Sequence, residues 1–151
     1  MQVDSLVPHL MLLLDSYSRL TGRQLLAFEL SLPEGLAEAF DRAPFALVSH
    51  GTEVDPVFNY GNQTALDLFG MDWQTFTALP SRYSAEQPNR EARERLLYEV
   101  KTHGFIDNYS GVRIANDGRR FMIERATVWN LVDGQGQYHG QAAMFADWRF
   151  L

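Results

Sequence analysis

Three clusters of hydrogen-bonding side chains in this chain could hold or transform a small molecule. Asn59, Tyr60 and Asn62 crowd around Gly61 in "VFNYGNQTALDLFGMDW", and Arg82, Tyr83 and Ser84 sit together in "SRYS". Tyr109, Ser110, Arg113, Arg120, Glu124 and Asn130 are spread along two strand-like runs further on. A buried arginine in a cavity is a natural partner for a carboxylate, because its planar fork meets two oxygens at once. A carboxylate base, Glu124 or Asp107, with an arginine as anion clamp would outline a small enzyme. The competing reading is structural, since an Arg and a Glu on one sheet face more often pair with each other.

Other chemistries find less support. His9, His50, His103 and His139 share no metal-ligand spacing. Ser49 and His50 are neighbours in a predicted strand and so point to opposite faces, which spoils a nucleophile–base pair. The chain has no cysteine, which removes thiolate nucleophiles, disulfides and any cysteinyl chromophore adduct. No P-loop, dinucleotide fingerprint or nucleophile elbow occurs, and "GQGQYHG" joins two antiparallel strands instead of opening a helix. Catalytic and metal-ligating residues are therefore expected to be none. Asn62, Gln63, Asn130 and Gln141 could address the polar edges of a non-covalently held ring such as a flavin, or equally satisfy turn and strand-end backbone groups. The cofactor stays open.

The elements that must position these side chains are legible as patterns. Leu6, Leu10, Leu13, Leu14, Tyr17 and Leu20 form a helical stripe over residues 5–20 that ends near Gly22, and a shorter helix is predicted from Glu34 to Asp41. A first strand runs through Ala46–Val48 and a second through Val57–Tyr60. Asn62 then caps a helix stopped by Gly70, and Asp72 caps a short one that Pro80 ends. "SRYSAEQP" reads as irregular. A longer helix opens near Asn89, with Glu91 and Arg95 outside and Leu96, Leu97 and Val100 inside, and Gly104 terminates it. Three strand-length runs follow, separated by the hairpin signals "NDG" and "DGQG". Alternation puts Phe121, Ile123, Thr127, Trp129 and Leu131 on one face of the fourth strand and Met122, Ala126, Val128 and Val132 on the other, the face that Arg120, Glu124 and Asn130 also share. Both sets are largely apolar, so both faces need cover, from the N-terminal helices, a partner subunit, or both.

The totals agree with one modest core. The 151 residues are 46% hydrophobic, 21% charged and 13% aromatic, with a net charge of -6. That balance belongs to a soluble globular domain and offers nucleic acid no basic stripe. The apolar run "LVPHLMLLLDSY" is too short to span a bilayer and lacks a signal-peptide layout. A cytoplasmic protein that binds neither nucleic acid nor membrane is expected.

Two strands, a helical insert and a three-stranded meander resemble a PAS domain, most clearly at "VFNYGNQTALDLFGM". The motifs "PSRYSAE", "GFIDNYSGVRIANDGRRFMIERATVWNL" and "YHGQAAMF" narrow the resemblance to the MEKHLA domain family, a PAS-like group found in plant class III homeodomain–leucine-zipper factors and as stand-alone bacterial proteins. The resemblance covers about residues 15–148, and without a preceding homeodomain or zipper it points to the stand-alone bacterial type. It implies an α+β, PAS-like fold: a five-stranded antiparallel sheet with helices on one face, residues 43–151, plus an N-terminal helical extension, residues 1–42. His103 lies near where haem-binding PAS domains place an axial histidine, although a helix C-terminal cap explains it more simply. The expected function is a sensory or small-ligand-binding module that acts as a homodimer and catalyses nothing. Its ligand-binding residues would be Asn59, Tyr60, Asn62, Arg82, Ser84, Tyr109, Arg113, Glu124 and Asn130, around a small organic ligand. The alternatives are a pure dimerisation module with a filled core, and a small enzyme using Glu124 with an arginine.

Overall fold

The structure, a computed structural model, describes residues 3–26, 35–88 and 90–151. The predicted helix openers Glu34 and Asn89 lie outside the described residues. Helix α1 (Val3–Thr21) buries Leu10, Leu13 and Tyr17 along one stripe and ends where Gly22 takes φ +72°. After α2 (Leu36–Arg42) come β1 (Ala46–His50) and β2 (Phe58–Gly61). Helix α3 (Gln63–Phe69) has Asn62 as its N-cap and Gly70, left-handed at φ 69°, as its C-cap. Helix α4 (Trp73–Phe76) is capped by Asp72, whose side chain accepts from the Thr75 amide. The segment read as irregular is a short 3₁₀ helix, Ser81–Ser84, followed by α5 (Arg90–His103).

The remaining chain supplies β3 (Phe105–Ile114), β4 (Arg120–Val132), β5 (Tyr138–Phe145) and β6 (Asp147–Phe150). The sheet is antiparallel in the order β2-β1-β5-β4-β3. The predicted final run is broken at Ala146, so its last residues form β6 and continue along the same β4 partner, Glu124 facing Asp147.

One feature of β4 overturns the simple alternation. Arg125 has φ 53° and Asn108, in the neighbouring strand, φ 55°, and the β3–β4 register slips on both sides of the Tyr109–Ala126 pair. Such irregularities reverse which face the next residues see. Phe121 and Ile123 pack with Ala126 and Val128 in one core, while Trp129 and Leu131 belong to the other. The expected common face for all five odd-numbered residues is therefore wrong. By the same alternation Glu124 and Asn130 lie on opposite faces, not together.

The two cores flank the sheet. On one side α3, α4 and α5 close over Phe58, Phe69, Phe76, Phe121, Ile123 and Phe145. On the other, Leu10, Leu13 and Tyr17 of α1 and Phe40 of α2 cover Leu47, Trp129, Leu131 and Ala142. Trp129 is 0% exposed, its ring edge-on to Tyr17 at 4.9 Å and its Nε1 donating to Ser16 Oγ at 3.2 Å. Burying each such side chain stabilises the fold by about 1.5–3 kcal/mol. The N-terminal helices thus supply the cover that the second apolar face demands. Helix α5 is less buried than its pattern predicts: Val100 faces the core, but Leu97 is 58% exposed.

Candidate functional site

The glycine turn that carries three of the nine expected residues is a structural joint. Asn62 uses its whole hydrogen-bonding capacity on backbone. Its Oδ1 accepts from Leu47 N at 3.0 Å and Ala65 N at 3.1 Å, and its Nδ2 donates to Phe40 O at 2.8 Å and Phe45 O at 2.9 Å. It has nothing left for a ligand, which corrects its place among the expected contacts. Asn59 Oδ1 accepts from Ser49 Oγ at 2.5 Å, and Ser49 Oγ meets His9 Nε2 at 2.8 Å. Because the serine hydroxyl donates to Asn59, His9 Nε2 is the donor to Ser49. Burial, with His139 nearby, lowers the His9 pKa. Ser49 is 1% exposed, so the group locks α1 to β1 and β2 and does not form a nucleophile with its base.

Tyr60 is 2% exposed, and its hydroxyl has no partner among the described residues. It packs on the α1 side, its ring 6.1 Å from His9 and 5.9 Å from Trp73. Burial, reinforced by Asp41, raises its pKa well above the usual phenol range.

A cavity that gathers more of the expected residues lies between the sheet and the middle helices, with Ser49 in its lining. It has a volume of about 210 Å³. Phe58, Phe69, Leu96, Ile123, Val128 and Phe145 form its apolar wall, and Arg82, Ser84, Tyr109, Arg113, His50 and Gln141 bring polar atoms to it. Four of the nine expected residues, Arg82, Ser84, Tyr109 and Arg113, therefore converge here. The elements explain how. Tyr109 and Arg113 share a face of β3 beyond the Asn108 irregularity, while the 3₁₀ helix lays Arg82 and Ser84 across the same space. Gly111 between them matters: a Cβ there would lie 3.1 Å from Arg113 Nη1 and 3.3 Å from Tyr109 Cε2. A glycine inside a strand marks such close approaches, and that signal was available in the sequence.

The polar groups differ in what they have to spare. Arg82 Nε is shared between Asp55 Oδ1 at 3.0 Å and Oδ2 at 3.1 Å, and its Nη2 donates to Tyr83 OH at 2.8 Å. Ser84 Oγ donates to Ser81 O at 2.7 Å. His50 Nδ1 lies 3.0 Å from Gly51 O and so donates to it. Gln141 Nε2 reaches Asn130 Oδ1 at 3.3 Å, which places Asn130 beside the cavity lining without making it part of it. Arg113 makes one hydrogen bond among the described residues, Nη1 to Val112 O at 3.2 Å, and burial lowers its pKa.

Neither candidate base belongs to this cavity. Glu124 Oε1 pairs with Arg149 Nε at 3.4 Å, and Asp107 Oδ1 accepts from Thr127 Oγ1 at 2.8 Å and Arg23 Nη2 at 2.7 Å. His103 is also outside the lining, exposed at the end of α5 with Nε2 3.6 Å from Glu99. No group of three or more metal-ligating side chains occurs among the described residues. No helix among them is long and apolar enough to cross a membrane.

Comparisons with known proteins locate this arrangement. The model of the MEKHLA domain matches residues 7–150. The chain is 28% identical over 100 residues to homeobox-leucine zipper protein ATHB-14 of Arabidopsis thaliana, covering 66% of this chain and 12% of that protein. It is 26% identical over 140 residues to ATHB-9 of the same plant, covering 90% of this chain and 17% of that protein. These relatives are plant proteins several times longer, and they give no support to the expected bacterial type. Among solved structures, the PAS domain of a Colwellia psychrerythraea protein superposes with TM-score 0.61 at 17% identity, over 78% of this chain and 95% of that one. An RNA-binding light-oxygen-voltage receptor gives 0.62 at 19%, over 75% of this chain and 32% of that one. The light-state dimer of the fungal photoreceptor Vivid gives 0.58 at 13%, over 88% and 92%. The fold is that of PAS and light-oxygen-voltage domains.

Proposed function

The chain belongs to the MEKHLA domain family, and from that premise we propose that it is a sensory module that binds a small organic ligand between sheet and middle helices. The observation that carries this reading is the cavity of about 210 Å³, whose wall is apolar and whose polar groups are few and convergent. That is the makeup of a small-molecule site, at a volume below the ~300–1,000 Å³ of drug-sized pockets. No cysteine exists for a covalent flavin adduct. Neither candidate base, Glu124 or Asp107, lines the cavity, which is read as a receptor and not an enzyme.

Assembly as a homodimer belongs to the same proposal. Its support is the fungal neighbour, solved as a dimer, and the exposed apolar side chains Leu97 and Tyr98 on α5. Occupancy would be passed on by biasing how α1 or α5 sits against the sheet, as a switch requires a two-state element. A cytoplasmic setting remains part of the proposal, on the cysteine-free composition.

A second reading has its own observation. Phe58 and Phe76 stack at 4.2 Å, and Phe69 meets Phe76 at 5.7 Å and Phe121 at 5.3 Å, so aromatic rings fill much of the space under the helices. That favours a dimerisation module with a filled core. Native mass spectrometry of the protein purified from its own host separates the two. A dimer carrying a small-molecule adduct is expected; a dimer without an adduct favours the filled core, and a bare monomer overturns both.

A further inference from the structure

We infer that the cavity is selective for a small organic anion, a monocarboxylate held by the guanidinium of Arg113. The inference rests on the ligand-binding reading above and adds the chemistry of the ligand.

Charge is the first argument. The chain carries 19 acidic and 13 basic residues, yet the cavity lining includes Arg82, Arg113 and His50 and no aspartate or glutamate. An acidic protein has kept its acids out of this one space. The two arginines then differ. Arg82 is neutralised by Asp55, 3.0 Å away, whereas no carboxylate among the described residues pairs with Arg113.

An arginine has five N–H donors, and a half-buried charge without a counter-ion is costly. Arg113 makes a single bond to a main-chain carbonyl, so its fork keeps donors to spare. Burial lowers its pKa, with Tyr109 opposing, and a bound carboxylate would reverse that shift.

The surroundings are shaped for this. The absent side chain of Gly111 leaves room for the guanidinium and the Tyr109 ring side by side. Opposite them Phe58, Phe69, Ile123, Val128 and Phe145 make an apolar wall, which suits an organic tail and not a hydrated inorganic ion. The volume limits that tail to a short chain or a single ring.

The test uses benzoate and benzamide, two probes of one shape that differ in charge, with the amide signals of Tyr109, Ile123 and Gln141 followed by NMR. Benzoate is expected to shift these signals at concentrations at least tenfold below benzamide. Arg113→Gln should weaken benzoate at least tenfold and leave benzamide unchanged, since a charge-assisted fork is lost but not the cavity. Gly111→Ala, which keeps the charge and moves the guanidinium, should weaken benzoate severalfold. If Arg113→Gln does not fold, Arg113→Lys replaces it and should retain part of the preference for benzoate. Equal binding of the two probes, unaltered by either Arg113 variant, would overturn the anion inference and leave the cavity reading standing. Failure of both probes to move the cavity signals would overturn the two together.

Discussion

Asn62 Nδ2 and the carbonyl oxygen of Phe40 meet at 2.8 Å, tying the end of α2 to the turn between β2 and α3. With its other three bonds the same side chain fixes β1, the Phe45 carbonyl and the first turn of α3. It is the joint through which the N-terminal helices and the sheet share one geometry.

Asn62→Ala is therefore expected to destabilise the fold by about 3 kcal/mol or more, because it removes a helix cap and leaves buried amide and carbonyl groups unpaired. Urea unfolding measures this. Asn62→Asp keeps both acceptor bonds but sets a carboxylate against Phe40 O and Phe45 O, so its deficit should shrink as pH falls and the carboxyl regains a donor. A loss under 1 kcal/mol in Asn62→Ala would refute this role.

Tyr60 makes the opposite case. Its buried hydroxyl has no partner among the described residues, so Tyr60→Phe should be neutral or stabilise by up to about 1 kcal/mol. Thermal unfolding of the two proteins decides it. A clear loss of stability in the phenylalanine variant would mean that the hydroxyl holds a bound molecule on the α1 side of β2.

Leu13 is wholly buried between α1 and the sheet. Leu13→Ala should cost about 2–5 kcal/mol and lower the unfolding midpoint of the whole domain in one transition. A fragment of residues 43–151, lacking the extension, would expose Trp129, Leu47 and Leu131 and is expected to aggregate. A monomeric, folded fragment by size-exclusion chromatography would show the extension to be dispensable.

Asp133 closes the β4–β5 hairpin. Hydrogen bonds from His139 Nε2 at 2.8 Å and from the Gln137 and Gln135 amides hold its pKa at about 2. A carboxyl held below its unfolded value, near 3.9, contributes stability that is complete above about pH 4 and is lost as pH falls towards 2. NMR titration of the carboxyl carbon should give a midpoint near 2, and His139→Ala should raise it. An unchanged midpoint in that variant would remove His139 as the main cause.

Much of the architecture was legible from neighbours in sequence. The caps Asn62 and Asp72, the stops at Gly22 and Gly70, the hairpins and the apolar stripe of α1 each depend on residues within a turn or two, so local chemistry decides them. The α+β order and the apolar character of both sheet faces followed from the same patterns. What only the tertiary structure decided is where polar side chains spend their bonds. Asn62, Asn59 and Glu124 looked like ligand contacts because sequence shows donors and acceptors but not their partners, which stand up to 25 residues away. The positive φ of Arg125 reverses a strand's faces without any glycine to announce it, and so Trp129 and Ile123 part company. In the sequence Arg113 was one of nine expected contacts; it became distinctive once the fold placed it with Arg82 in a cavity without carboxylates and gave Arg82 but not Arg113 a partner among the described residues.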